Sequence, residues 1–160
     1  MKKVTRPDID EYFLKIATVA AERSTCRRRH IGAVAVRDKH ILATGYNGAP
    51  SGVKDCLELG CLRDEMNIES GTRQEICRGI HAEQNVIIQA SLHGVNLADA
   101  TVYATHSPCI LCAKMLVNAG IKRFVTFSSY ADDSFKDLFK EAGIEFELHE
   151  KPPSRITCLP

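Results

Sequence analysis

The sequence has no tryptophan, only six phenylalanines and four tyrosines, and no uninterrupted apolar run approaching the roughly 18 residues that a membrane-spanning helix needs. No internal repeat, low-complexity stretch or long linker breaks its 160 residues, a length that suits one compact domain over 1–160. An excess of either charge is also missing: 21 Lys+Arg face 20 Asp+Glu, a formal net charge of +1. That balance gives no electrostatic reason to expect a nucleic-acid partner, although it leaves room for one local basic pocket. Behind Met1-Lys2-Lys3 there is no apolar h-region, so the expectation is a cytoplasmic protein with neither secretory signal nor membrane contact. Cysteine, by contrast, is plentiful at seven. In a reducing compartment such clusters bind metal or do chemistry more often than they pair.

Apolar periodicity sets the architecture. Tyr12, Phe13, Ile16, Val19 and Ala20 recur at helical spacing within 10–23, with Asp8 or Asp10 as cap. Two short apolar runs, 31–36 and 40–44, flank Arg37-Asp38-Lys39 and predict an antiparallel hairpin. The glycines and proline of 45–52 predict a loop, and 53–78 carries charges and cysteines with little apolar period. Beyond it the pattern predicts helix 82–92, strand 101–104, helix 109–118, strand 121–127, helix 133–142 and strand 144–148, with Gly120 and Gly143 closing the last two helices. Strands alternating with helices require parallel crossovers, whereas the opening hairpin is antiparallel. The fold class is therefore α/β: a mixed five-stranded sheet with helices on both faces, three layers in all.

Chemistry concentrates where two of these helices begin, at His81-Ala82-Glu83 and at Pro108-Cys109-Ile110-Leu111-Cys112. A C-x-x-C at a helix N-terminus brings both sulfurs to the end where the dipole and free N–H groups favour thiolates. Catalytic zinc takes three protein ligands and leaves a fourth position open, and His81, Cys109 and Cys112 supply three. Glu83, two residues past the histidine, is placed to exchange protons with a metal-activated water. An H-x-E or a C-x-x-C alone is weak evidence, but H-x-E…P-C-x-x-C is the known signature of the zinc-dependent nucleobase deaminases.

On these motifs the chain resembles the cytidine and deoxycytidylate deaminase superfamily from about Tyr12 to Glu147, and within it the members that act on dCMP. The likeness is carried by Ser24-Thr25-Cys26-Arg27-Arg28 with Ile31-Gly32-Ala33-Val34, by Gly45-Tyr46-Asn47-Gly48, by Ile80-His81-Ala82-Glu83-Gln84-Asn85, and by Ser107-Pro108-Cys109 with Cys112. The resemblance implies a cytidine-deaminase-like fold and hydrolysis of dCMP to dUMP and ammonia, which feeds dTMP synthesis. Activated water would attack C4, with Glu83 moving protons to N3 and to the departing amine. It also implies nucleotide contacts at Asn47 and Ala82, regulation by dCTP or dTTP at the 45–52 loop, and a homo-oligomer, a hexamer by resemblance. Competing readings are a deaminase of another cytosine or purine nucleoside or nucleotide, or of tRNA adenosine, and an inactive zinc-stabilised interaction module. A structural site has no need of Glu83, which favours the enzyme.

Arg28, in the run 27–29, is the expected phosphate contact, because a bidentate guanidinium suits a phosphate; a solvated basic face is the alternative. Tyr130 follows a strand end and either closes over the nucleotide or packs its own loop. Asn47 is otherwise a turn asparagine tolerant of left-handed backbone. The long 53–78 segment needs an organiser, and Cys56, Cys61 and Cys77 with Cys26 would make a second, structural zinc site; buried thiols are the alternative. Cys158 reads as a buried hydrophobe. His106, close to Pro108, reads as a satisfied polar group at the pocket border.

Overall fold

The computed structural model describes residues 6–153; Cys158 lies outside the described residues. Helix α1 (Ile9–Ala21) starts at Asp8, whose carboxylate accepts the Glu11 N–H at 2.8 Å, so Asp8 and not Asp10 is the cap. Strands β1 (Gly32–Arg37) and β2 (His40–Tyr46) form the hairpin. Asp38 and Lys39, between Arg37 and His40, both have positive φ, as a two-residue type I′ turn requires. β2 runs two residues past its predicted end, so Gly45 is a strand residue and not a loop residue. The reason is packing: a Cβ on Gly45 would stand 2.4 Å from the Ala82 carbonyl oxygen, and only glycine lets the strand lie that close to the next long helix.

The 53–78 segment is not structureless. It holds helices α2 (Cys56–Leu59) and α3 (Leu62–Glu65) and a 3-10 turn at Gln74–Ile76. Asp55 caps α2 through the Leu57 and Glu58 N–H groups, a local signal that composition alone obscured. Then follow α4 (Ala82–Leu92), β3 (Thr101–Ala104), α5 (Ile110–Asn118), β4 (Arg123–Thr126), α6 (Ser134–Glu141) and β5 (Glu145–Leu148). The last two strands are shorter than their apolar runs, because Ile121 and Ile144 are buried in the turns before them.

The sheet order is β2-β1-β3-β4-β5, with β1 antiparallel to β2 and β3 and the last three strands parallel. Strand alternation divides the core. Val34, Val36, Tyr103 and Val125 meet Phe13, Leu14 and Ala17 of α1 on one face. Ala33, Ala35, Val102, Ala104 and Phe124 meet α4, α5 and α6 on the other. This is the three-layer mixed sheet that the alternating pattern predicts. It sets the N-termini of α4 and α5 side by side beyond the C-terminal ends of the parallel strands, where open α/β sheets place their sites. No described helix is long and apolar enough to cross a membrane.

Candidate metal centre and its cavity

His81 is the N-cap of α4 and Cys109 the N-cap of α5. The His81 backbone N–H donates to the Gln84 side chain at 2.9 Å, which fixes the first turn. An isolated bridge holds this entry against the loop after β2: Gly48 N–H donates to the Ile80 carbonyl at 3.1 Å and Ile80 N–H to the Gly48 carbonyl at 2.8 Å. The Asn85 amide adds a 2.6 Å bond to the Tyr46 carbonyl. Across the site, Ser107 is tied to the loop after β4 by its N–H to the Ser128 carbonyl at 2.8 Å and by its hydroxyl, which accepts the Tyr130 N–H at 3.0 Å.

These anchors bring three soft donors together. His81 Nδ1 lies 3.5 Å from Cys109 Sγ and 3.3 Å from Cys112 Sγ, and all three ligand atoms fall within 4.8 Å of one another. Tetrahedral zinc, with bonds of about 2.0 Å to nitrogen and about 2.3 Å to sulfur, sets N and S ligands ~3.5 Å apart. The donor set therefore fits zinc in type, number and spacing. The Cys109 thiol is lowered to about 4, first by its hydrogen bond with Cys112 and also by His81, which favours a thiolate at this position. That same bond, with burial, pushes Cys112 up. Glu83 is 4% exposed, and burial raises its carboxyl from 4.5 to about 7.

The three donors and Glu83 open on a cavity of about 430 Å³, within the range of small-ligand sites. Asn47, Ala82, Arg28 and Tyr130 all line it. Ala82 occupies the first helical position of α4, where a backbone N–H has no intrahelical partner. The Asn47 side-chain oxygen accepts from the Ser24 hydroxyl at 2.6 Å and the Ile31 N–H at 2.9 Å, and its amide donates to the Arg29 carbonyl at 2.8 Å. It pins the 24–31 loop to β2, and its amide makes one of the two hydrogen bonds it can donate. Its φ is not positive, so left-handed tolerance is not why asparagine stands there.

Arg28 is engaged elsewhere: its Nε meets Asp64 at 2.6 Å and its Nη2 the Ile68 carbonyl at 2.7 Å. The neighbouring Arg29 places its guanidinium 4.9 Å from the Tyr130 ring centroid, and the His106 ring lies tilted against the same ring at 5.3 Å. His106 is not satisfied as expected. Its Nδ1 is buried without a partner, and burial lowers the ring's proton affinity.

Cys26, Cys56, Cys61 and Cys77 also line the cavity wall, and the Cys56 thiol is pushed up by burial and then by the other three. Among the described residues, however, no three of these sulfurs come within 4.8 Å of one another. The cluster is gathered but not closed. Among the lining residues that escape sequence reasoning are Arg63 and Gln74. Neither belongs to a motif, and only the folding of the insertion over the site shows them.

Comparison with known proteins agrees with this geometry. A family model of the cytidine and deoxycytidylate deaminase zinc-binding region matches residues 7–128. The deoxycytidylate deaminases of Schizosaccharomyces pombe and Saccharomyces cerevisiae are 36% and 39% identical over 94% and 95% of this chain. The chain spans about half of those yeast proteins, 47% and 49% of their lengths. The dCMP deaminase of cyanophage S-TIM5, solved in complex with dCMP and dUMP, superposes with a TM-score of 0.76 at 29% identity, covering 91% of this chain and 100% of that one.

Proposed function

The chain belongs to the cytidine and deoxycytidylate deaminase family, and from that premise we propose that it hydrolyses dCMP to dUMP and ammonia. The observation that carries the reading is the convergence of His81, Cys109 and Cys112 beside a buried Glu83 in one cavity. The family region matched is zinc-binding, and the two sulfurs with the imidazole would hold that ion. Bound zinc supplies a Lewis acid that lowers the pKa of water from 15.7 to about 7.

Every remaining step falls to the chain. Glu83, raised to about 7, both accepts and returns a proton near neutral pH; a divalent cation acts on it in the opposite sense. It would take one proton from the attacking water and give it to cytosine N3, then take the remaining proton of the oxygen added at C4 and give it to the amine that leaves. Water thus adds at C4, the C4–N bond breaks, and ammonia departs. Asn47, through its remaining amide N–H, and Ala82, at the first turn of α4, orient the nucleotide. Tyr130 closes the far wall.

Other expectations belong to the same proposal. Cys26, Cys56, Cys61 and Cys77 hold a second zinc, supported by their common wall and by a segment with little core of its own. Tetrathiolate zinc sets its sulfurs about 3.8 Å apart, so binding must draw this wall inward. The chain forms one domain and a homo-oligomer in the cytoplasm. Ile41, Ile88 and Leu92, exposed on β2 and α4, favour a partner surface, and six free cysteines among the described residues suit a reducing compartment. dCTP and dTTP act as regulators.

One assay tests the central reading. Ammonia release is measured with dCMP, dCTP and deoxycytidine, with and without chelator, and with dCTP or dTTP added beside dCMP. Chelator-sensitive turnover with dCMP preferred is expected; zinc-loaded protein inert toward all three sinks the reading.

A further inference from the structure

The insertion that roofs the cavity carries an asymmetry among its arginines. Arg28, Arg63 and Gln74 all line the cavity, and each has a buried polar atom without a partner: Arg28 Nη1, Arg63 Nε and Gln74 Oε1. Unpartnered buried polar atoms are rare and call for an explanation, an absent ligand among them.

The two guanidinium groups differ in charge. Arg28 is neutralised by Asp64 at 2.6 Å, and the other charges acting on it are those of Cys61 and Cys26, so it serves the cysteine wall. Arg63 donates through Nη2 to the Glu69 carbonyl at 2.8 Å, a neutral acceptor. Among the described residues it has no carboxylate within 4.0 Å. At longer range its charge acts on the exposed Glu75 carboxylate. Arg63 is thus a half-buried cation with no direct ion pair among the described residues, facing the reaction cavity. Arg29 also lines the cavity without a carboxylate within 4.0 Å among the described residues, but it is exposed, where Arg63 is half-buried, and it lies over the Tyr130 ring.

We infer that Arg63 reads the 5′-phosphate of the substrate, so that the insertion, and not the arginine run before β1, makes this a nucleotide deaminase in preference to a nucleoside deaminase. The inference rests on the reading of the site as a dCMP deaminase. A phosphate supplies a direct anionic partner, and charge-assisted N–H···O bonds from a guanidinium are about twice as strong as neutral ones.

The test compares the parent enzyme with Arg63→Gln, Arg63→Lys and Arg29→Gln on dCMP and deoxycytidine. Arg63→Gln is expected to lower the ratio of kcat/KM for dCMP over deoxycytidine by about 10- to 100-fold, through KM, with Arg63→Lys recovering part of it. Arg29→Gln should leave the ratio near the parent's. Binding of dUMP, followed by calorimetry, should weaken by a similar factor in Arg63→Gln at parental zinc content and melting temperature. An equal loss on both substrates, an unchanged ratio, or a loss confined to Arg29→Gln overturns the inference. Should the parent turn over neither substrate, the proposed function fails, while the dUMP titration, read on Arg63→Lys if Arg63→Gln does not fold, still decides on Arg63.

Discussion

Glu83 is the residue on which burial acts most consequentially, because burial raises its carboxyl toward the pH range where the proposed general acid–base exchanges protons. Replacing it with glutamine keeps shape and polarity but removes the titration. Glu83→Gln is therefore expected to bind zinc at the parent's stoichiometry and to lose about 10²- to 10⁴-fold in kcat. The sign of the pH effect follows from its role. In the proposed mechanism the ionised form accepts the first proton, so the parent's kcat/KM should rise with pH through the carboxylate's titration, and that acidic limb should vanish in the variant. Elemental analysis with a pH–rate profile checks both, and a variant at parental rate removes Glu83 from the mechanism. Each of these residues was legible in the sequence because the chemistry fixes both their types and their short spacings. Arg63 was not. The role proposed for it depends on which arginine lacks a direct carboxylate partner, and that is decided by the fold of a segment with almost no apolar period.

Between elements, the contacts hardest to foresee are the polar ones. Asp10, in the first turn of α1, accepts the Tyr103 hydroxyl of β3 at 2.7 Å and both Arg123 Nη atoms of β4 at 2.8 Å. Arg123 also pairs with Glu147 of β5, so one guanidinium ties the helix to the three parallel strands. The Asp8, Asp10 and His149 side chains meet closely enough to suggest a cation site, but Arg123 already occupies Asp10 with positive charge. The hydrogen bond from Arg123 is the chief cause of Asp10's lowered pKa. Its stabilisation is thus complete above the unfolded value near 3.8 and is lost as pH falls through the lower folded value. Tyr103 is raised, by burial first and then by Asp10, so its share is complete below 10 and is lost as pH climbs above it. Asp10→Asn should therefore cost stability at neutral pH, on the order of 1–3 kcal/mol, with the difference from the parent shrinking below pH 4. Denaturant midpoints across pH measure it, and a difference that does not vary with pH refutes the account. Apolar periodicity predicted every one of the long helices and the five strands to within a few residues, yet it is silent on such ties because charge carries no period.

At the scale of the whole molecule, the chain divides into a part that folds on hydrophobic burial and a part that does not. The sheet is sandwiched by two apolar clusters, rich in fully buried residues such as Phe13, Leu14, Leu116 and Phe124. Within 53–78 only Cys56 and Cys61 are buried among apolar residues, while Leu57, Leu59, Leu62 and Met66 remain exposed. The sequence disclosed this division through its loss of period, but it could not show that short capped helices fill the gap. Metal removal should separate the two parts. Stripping a ligand that binds only the native state lowers stability by RT ln(1 + [L]/Kd), about 2.7 kcal/mol at a hundredfold excess over Kd. The sandwich keeps its own core, so chelated protein should retain its far-UV circular dichroism and still unfold cooperatively, at a lower temperature. The insertion has no comparable reserve. If the four cysteines hold zinc, as proposed, the loaded protein contains two zinc atoms per chain, and amide exchange across 53–78 should accelerate on chelation far more than exchange in the sheet. A single zinc per chain, or insertion amides whose protection is indifferent to complete metal removal, would show that Cys26, Cys56, Cys61 and Cys77 are buried thiols and that the Asp55 cap and the Arg28–Asp64 pair order this segment by themselves.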